Sequence, residues 1–65
     1  MNILLNGEAR RIEASTLAGA LIELGYEGAT VATAVNGTFV AAHARAETRL
    51  DDQDRIEVLA PMQGG

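Results

Sequence analysis

The chain has no cysteine, no lysine and no tryptophan, and only one proline, one histidine, one phenylalanine and one tyrosine. Without cysteine there is no disulfide framework, no thiolate zinc site and no thiol nucleophile. Without lysine the N-terminal amine is the one primary amine, which excludes Schiff-base catalysis by a side chain. Phe39 and Tyr26 alone make no aromatic platform on which bases could stack. His43 has no second imidazole and no acid at ligand spacing, so it lacks what a metal site, a triad or an oriented acid–base pair requires. No apolar run approaches the length of a membrane span. The start "MNILLNGE" has neither the basic stretch nor the long apolar stretch of a secretory signal. A cytoplasmic protein with no membrane partner is the expectation.

Charge narrows the field further. The net charge is −4, and the five arginines, Arg10, Arg11, Arg45, Arg49 and Arg55, are scattered among nine carboxylates. That distribution argues against a nucleic acid, whose phosphates call for clustered cations. The expected partner is a protein.

Sixty-five residues suffice for one domain, which buries only about 60% of the surface its unfolded chain exposes. Met1, Ile3 and Leu5 alternate with Asn2 and Leu4 as in a strand with one buried face. Asn6-Gly7 then supplies the pair that a type I′ hairpin turn needs, with φ positive at both central positions. A second strand follows over Glu8 to Ile12. In "EASTLAGALIELGYEG" the period changes. Leu17, Ala20, Leu21 and Leu24 fall at helical spacing, Ser15 or Thr16 can cap the start, and Gly25 stands where a helix stops. Gly19, unfavourable inside a helix, suggests close packing against a sheet. "TVATAVNGTFV" reads as a second hairpin, with strands over Val31 to Val35 and Thr38 to Val40 around Asn36-Gly37. In "AAHARAETRL" alanine, arginine and glutamate favour helix, but without a sustained apolar stripe the segment reads equally as a long connection with a short turn of helix, which is the reading favoured here. "DDQD" is a turn, and "RIEVLAP" places Ile56 and Val58 on one face of a last strand that Pro61 ends.

The order is therefore ββαβββ. The smallest arrangement that buries it is an α+β domain with one helix packed on one face of a four- or five-stranded sheet. The domain occupies residues 1–59, and residues 60–65 form a flexible tail. Asp51, Asp52 and Asp54 lack the glycine and closing glutamate of a calcium loop and read as a solvated turn. Neither Asn-Gly pair belongs to a phosphate-binding glycine pattern, and no catalytic constellation emerges.

The tail is what remains. Six residues from Ala60 to Gly65 reach about 20 Å when extended, and Pro61 biases Ala60 towards an extended backbone. Gly64 and Gly65, without Cβ atoms, can thread a channel as narrow as a backbone. The group delivered at the end is the Gly65 carboxylate. It is ionised at neutral pH and becomes an acyl donor only after activation, for example as an adenylate formed by a separate ATP-using enzyme.

The run "VNGTFV" and the closing "AETRLDDQDRIEVLAPMQGG", together with the start "MNILLNGE", resemble the thiamine-biosynthesis sulfur carrier family, ThiS, over essentially the whole chain. The resemblance implies a ubiquitin-like β-grasp fold with a mixed sheet. It also implies a carrier that is not itself an enzyme and holds no permanent cofactor. An activating enzyme related to the ubiquitin-activating class adenylates the Gly65 carboxylate with ATP, sulfur from a persulfide enzyme displaces AMP, and the resulting thiocarboxylate supplies thiazole synthase. Gly65 then carries the sulfur and Gly64 gives access. Leu59, Pro61, Met62 and Gln63 are the expected partner-contacting approach, and Leu4 and Leu59, out of phase with the buried positions of their strands, are candidates for an apolar patch. Two positions depart from the family pattern: Ala41 stands where a proline is frequent, and Gln53 where a glycine is frequent in the acidic turn. Two other readings share the tail. One is the small sulfur-carrier subunit of molybdopterin synthase. The other is a ubiquitin-like modifier joined through Gly65, which without lysine could not build lysine-linked chains on itself.

Overall fold

The computed structural model describes residues 1–60. Its elements are β1 (Asn2–Leu5), β2 (Glu8–Arg11), α1 (Leu17–Glu23), β3 (Ala32–Val35), β4 (Thr38–Val40), a 3₁₀ helix (Ala42–Glu47) and β5 (Arg55–Leu59). One five-stranded sheet runs in the order β2-β1-β5-β3-β4. The β1–β5 pairing is parallel and the others are antiparallel. The mixed sheet with one α-helix on one face is the β-grasp arrangement, and the last strand lies in its centre.

Both hairpins turn at their Asn-Gly pairs. Asn6 and Gly7 have φ of 50° and 85°, and Asn36 and Gly37 have 51° and 85°, the positive values at both positions that a type I′ turn requires. Alternation then decides which side chains are covered. Ile3 and Leu5 of β1 and Ile56 and Val58 of β5 are buried, together with Ile12, Leu50 and the helix residues Leu17, Ala20 and Leu21. β2 ends at Arg11, one residue before the expected Ile12, yet Ile12 remains tied: its N–H donates to the Met1 carbonyl at 2.9 Å and its own carbonyl accepts from the Met1 amine at 2.7 Å.

The helix is short and its two ends are well satisfied. Of the two candidate caps it uses Thr16, whose Oγ1 accepts from the Gly19 N–H at 3.2 Å. At the other end Gly25 (φ 97°) follows the Leu24 cap. The Gly25 N–H donates to the Ile22 carbonyl and the Tyr26 N–H to the Leu21 carbonyl, the paired bonds of a Schellman stop. The Glu23 carboxylate accepts from the N–H groups of Glu13 and Ala14 at 2.8–3.0 Å, fastening the last turn to the segment that leads into the first. Gly19 does not approach the sheet. A Cβ there would lie 3.1 Å from the Ala14 Cβ and 3.3 Å from Thr16 Oγ1, so what crowds it is the chain entering the helix.

Residues 42–47 form a 3₁₀ helix where the absence of an apolar stripe predicts a connection. It is held from one side by Arg45, which donates from Nε to Thr33 Oγ1 at 3.0 Å and from a terminal nitrogen to the Val31 carbonyl at 2.7 Å. Taking the Val31 carbonyl goes with the start of β3 at Ala32, one residue later than expected. Thr33 is the one buried polar residue among those described, and its hydroxyl donates in turn to the Val40 carbonyl at 2.8 Å.

The acidic turn before β5 is braced by its own carboxylates. Asp54 accepts from the Asp51 N–H at 2.8 Å and from Asn36 Nδ2 at 2.9 Å, and Asp52 accepts from the Asn2 N–H at 2.7 Å. Gln53 at the tip has φ 74°. That left-handed backbone explains why glycine suits the position, since a Cβ costs about 1–2 kcal/mol there. Ala41, with φ −68° and ψ 154°, already has the backbone of a proline.

Two outcomes follow. Gln53→Gly raises stability by about 0.5–1 kcal/mol, because relief of the left-handed strain exceeds the entropy glycine adds to the unfolded chain; urea denaturation measures it, and a loss of stability would contradict the assignment. The Asp52 carboxyl is held below its ordinary value of 3.8, chiefly by the Asn2 N–H and next by the Gln53 side chain. A lowered carboxyl stabilises the fold fully above its ordinary value and loses that contribution as the pH falls through the lowered one. Denaturation between about pH 5 and about pH 2, which brackets the carboxylate range, therefore shows a smaller acid loss in Asp52→Asn than in the parent chain, and equal losses would refute it.

Candidate functional site

β5 delivers the chain to Ala60 from the middle of the sheet, flanked by β1 on one side and β3 on the other. Its residues face alternately. Ile56 and Val58 enter the core, whereas Arg55, Glu57 and Leu59 stand on the face away from the helix. Leu59 is 66% exposed, although it is apolar and pairs in register with Ala32. In the neighbouring hairpin Ala34 pairs with Phe39, itself 69% exposed. Ala32, Ala34, Phe39, Glu57 and Leu59 line one shallow depression of about 130 Å³, beside the point where the strand ends.

Leu4 lies on the same face of the sheet but apart from this patch. Its register partners are Ala9 and Arg55, and Arg55 is four residues before Leu59, or roughly 13 Å along the strand. Leu4 is half-buried and borders a separate groove of about 420 Å³ with Asn6, Gly7, Gly37, Arg55 and Glu57. The structure thus does not bring Leu4 and Leu59 together, and the side chain it places beside Leu59 is Phe39. The signal for Phe39 was its phase: in "TFV" Val40 turns inward, so Phe39 must turn outward. Pro61, Met62, Gln63, Gly64 and Gly65, which are all of the expected tail 60–65 except Ala60, lie outside the described residues.

The two turn asparagines carry a second role that the hairpin motif conceals. Asn6 donates from Nδ2 to the Val58 carbonyl at 3.2 Å, and its Oδ1 accepts from the Val58 N–H at 2.9 Å. Asn36 Oδ1 accepts from the Arg55 N–H at 2.9 Å. Both carboxamides therefore grip β5, one near each end. His43 is exposed on the 3₁₀ helix, and the described residues contain no group of three potential metal ligands. No described helix is long and apolar enough to cross a membrane.

The ThiS family profile matches residues 3–65. The chain belongs to the ThiS family. Among curated proteins, the sulfur carrier protein ThiS of Thermus thermophilus is 41% identical over 61 residues, covering 94% of this chain and 95% of that one. The crystal structure of the thiamine biosynthesis protein ThiS from Geobacter metallireducens superimposes with a TM-score of 0.83 at 29% identity, each chain covered completely. The solution structure of a thiamine biosynthesis protein from the same organism gives 0.76 at 26% identity, covering 100% of this chain and 88% of that one. This family chain thus has the β-grasp fold that its resemblance implied.

Within that fold the patch beside the strand end is separable from the core. Leu59→Ser and Phe39→Ser each change stability by no more than about 0.5 kcal/mol, whereas Ile56→Ala, fully buried, costs about 2–5 kcal/mol. Thermal or urea unfolding of the three variants tests this. A loss above about 1 kcal/mol at Leu59 or Phe39 would make the patch part of the structural core.

Proposed function

We propose that the chain is a sulfur carrier for thiazole formation in thiamine biosynthesis, acting as a co-substrate of partner enzymes and not as a catalyst. The observation that carries this reading is the family match, which runs through the closing "MQGG" to Gly65. The placement of β5 supports it, since a central strand held on both sides gives a tail a firm root. The composition is compatible as well. With no cysteine in the chain, sulfur has no side chain to ride on, and the backbone terminus is the available carrier.

The chemistry begins at the Gly65 carboxylate. As an anion it is a poor acyl donor; attack on the α-phosphorus of ATP, inside an adenylating enzyme of the ubiquitin-activating class, releases pyrophosphate and leaves an acyl adenylate. The terminal sulfur of a persulfide enzyme then attacks the activated carbonyl carbon and AMP departs. Reduction of the sulfur–sulfur bond by a thiol frees the thiocarboxylate, which donates sulfur to thiazole synthase. ATP is consumed on the partner, and the carrier holds no cofactor permanently. Gly65 is the attachment point. Gly65 has no Cβ beside the reacting carbonyl to obstruct either attack, and Gly64 keeps the approach narrow.

Docking precedes this chemistry. In this reading Leu59 and Phe39 form an apolar edge that docks on the partner, Pro61, Met62 and Gln63 are the residues the partner contacts ahead of Gly64 and Gly65, and Leu4 contributes from the neighbouring groove. Apolar contact at the root of a short tail suits a carrier that must bind several partners in turn, since burial there supplies affinity while the end group stays free to react. The cycle is placed in the cytoplasm.

Intact-mass measurement after incubation with ATP, the adenylating enzyme and a persulfide source tests the reading. The expected result is a gain equal to one oxygen exchanged for sulfur, located at Gly65 and absent from a chain lacking that residue. No gain, under conditions in which an established carrier is converted, overturns the sulfur-carrier reading. Recovery of the chain in amide linkage to a lysine of another protein would favour a modifier instead.

A further inference from the structure

The end of β5 is held in an unsymmetrical way. On the β3 side, ladder pairing extends to the end of the strand, where Ala32 is in register with Leu59. On the β1 side the ladder stops early. Leu4 N–H donates to the Asp54 carbonyl and Asn6 N–H to the Ile56 carbonyl, both at 2.9 Å, and then the chain turns away at Asn6-Gly7. Even-numbered residues of β5 face this side, so Val58 is left with a donor and an acceptor directed at a neighbour that has gone. The Asn6 carboxamide meets both, at 2.9 Å and 3.2 Å. A side-chain amide has the donor–acceptor geometry of a peptide group, so it extends the β1 ladder by one rung that the backbone of β1 cannot reach.

We propose that Asn6 is a positioning residue for activation of the carrier: by holding Val58 it fixes where the tail leaves the sheet. This rests on the reading of Gly65 as the activated terminus. Removal of the carboxamide leaves Val58 unpaired on one edge and lets the strand fray back towards Ile56. The length that a partner must order then grows by as many as the three residues Glu57, Val58 and Leu59. Each added residue must be ordered again when the terminus enters the partner's site, at a cost in backbone entropy. The effect falls on productive binding. Once the terminus is seated the chemistry is unchanged, so KM for the carrier rises and kcat does not.

Asn36 provides the matched control. It sits in the same turn type, with φ 51° against 50°, and its carboxamide also holds β5, but at Arg55, the far end from the tail. Asn6→Gly and Asn36→Gly both keep the positive φ, both remove carboxamide bonds to β5, and are expected to lower stability to a similar degree. Only the first loosens the root of the tail.

The experiment compares the full-length parent chain, Asn6→Gly and Asn36→Gly as substrates of the purified adenylating enzyme, read by ATP–pyrophosphate exchange, together with amide hydrogen exchange at Val58. The expected result for Asn6→Gly is a KM raised by about tenfold with kcat within about twofold, and faster exchange at Val58. Asn36→Gly keeps both within about twofold of the parent. Equal KM shifts in the two variants, an unchanged KM in Asn6→Gly, or unchanged exchange at Val58 would each overturn the inference while leaving the carrier reading standing. No exchange activity with the parent chain, where an established carrier is active, would overturn the carrier reading and this inference with it.

Discussion

The parallel pairing of β1 with β5 is the constraint on which the rest of the molecule depends. It joins the first strand of the chain to the last, across more than forty intervening residues, and places β5 between two hairpins that cannot otherwise touch. Closing so long a loop has an entropic cost that must be met before the contacts it makes possible are gained. Until β5 is inserted, the β1–β2 and β3–β4 hairpins are two ribbons with open edges. Isolated two-stranded ribbons are marginal in water. Insertion buries Ile56 and Val58 against Ile3, Leu5 and the helix, so the strand that carries the tail is also the strand that completes the core.

A domain of this size has few residues with which to stabilise itself, and its polar groups are used accordingly. Asn6 and Asn36 take the left-handed backbone that turns a hairpin, and the same side chains then grip β5. Arg45 ties the 3₁₀ helix to the start of β3 through Val31 and Thr33, and Thr33 passes the link on to Val40. Among the described residues no buried side-chain nitrogen or oxygen lacks a partner. This matters more here than in a large protein, since one unsatisfied buried group costs about 1–3 kcal/mol from a total stability that is itself small for so short a chain. With cysteine absent, cross-links of this kind are the available fasteners.

The features legible in the sequence were those written in local pattern. Two Asn-Gly pairs marked both hairpins, the Ser15-Thr16 pair and Gly25 marked the ends of the helix, and period-two alternation placed Ile3, Leu5, Ile56 and Val58 inside. The features that were not legible depend on contacts between distant segments. Nothing around residue 56 states that its strand enters the middle of the sheet. The 3₁₀ helix has no stripe of its own to betray it, being held by Arg45 and by contact with α1. Gly19 was rightly noticed as out of place, but its neighbour is the chain entering the helix and not the sheet. Phe39 is visible only in the phase of a three-residue strand, too short for alternation to single it out. The carboxamide grips were hidden for a different reason: turn propensity already accounted for both asparagines, so no residue was left unexplained.

The two faces of the sheet divide the work. An antiparallel or mixed sheet covered on one side ordinarily shows polar residues on the other, and this one does so at Arg11, Arg55 and Glu57. Around the end of β5 the rule lapses, and Ala32, Ala34, Phe39 and Leu59 leave an apolar surface in water. Such a surface contributes nothing to the isolated domain, whose core lies on the opposite side. Exposed apolar residues grouped at one place suit the docking role proposed for them. Its position sets a geometric condition on that contact: whatever covers Leu59 and Phe39 also receives the chain emerging at Ala60. Under the proposed function, recognition of the folded domain and capture of its tail would then be one event, and any force that fixes the end of β5 would act on both.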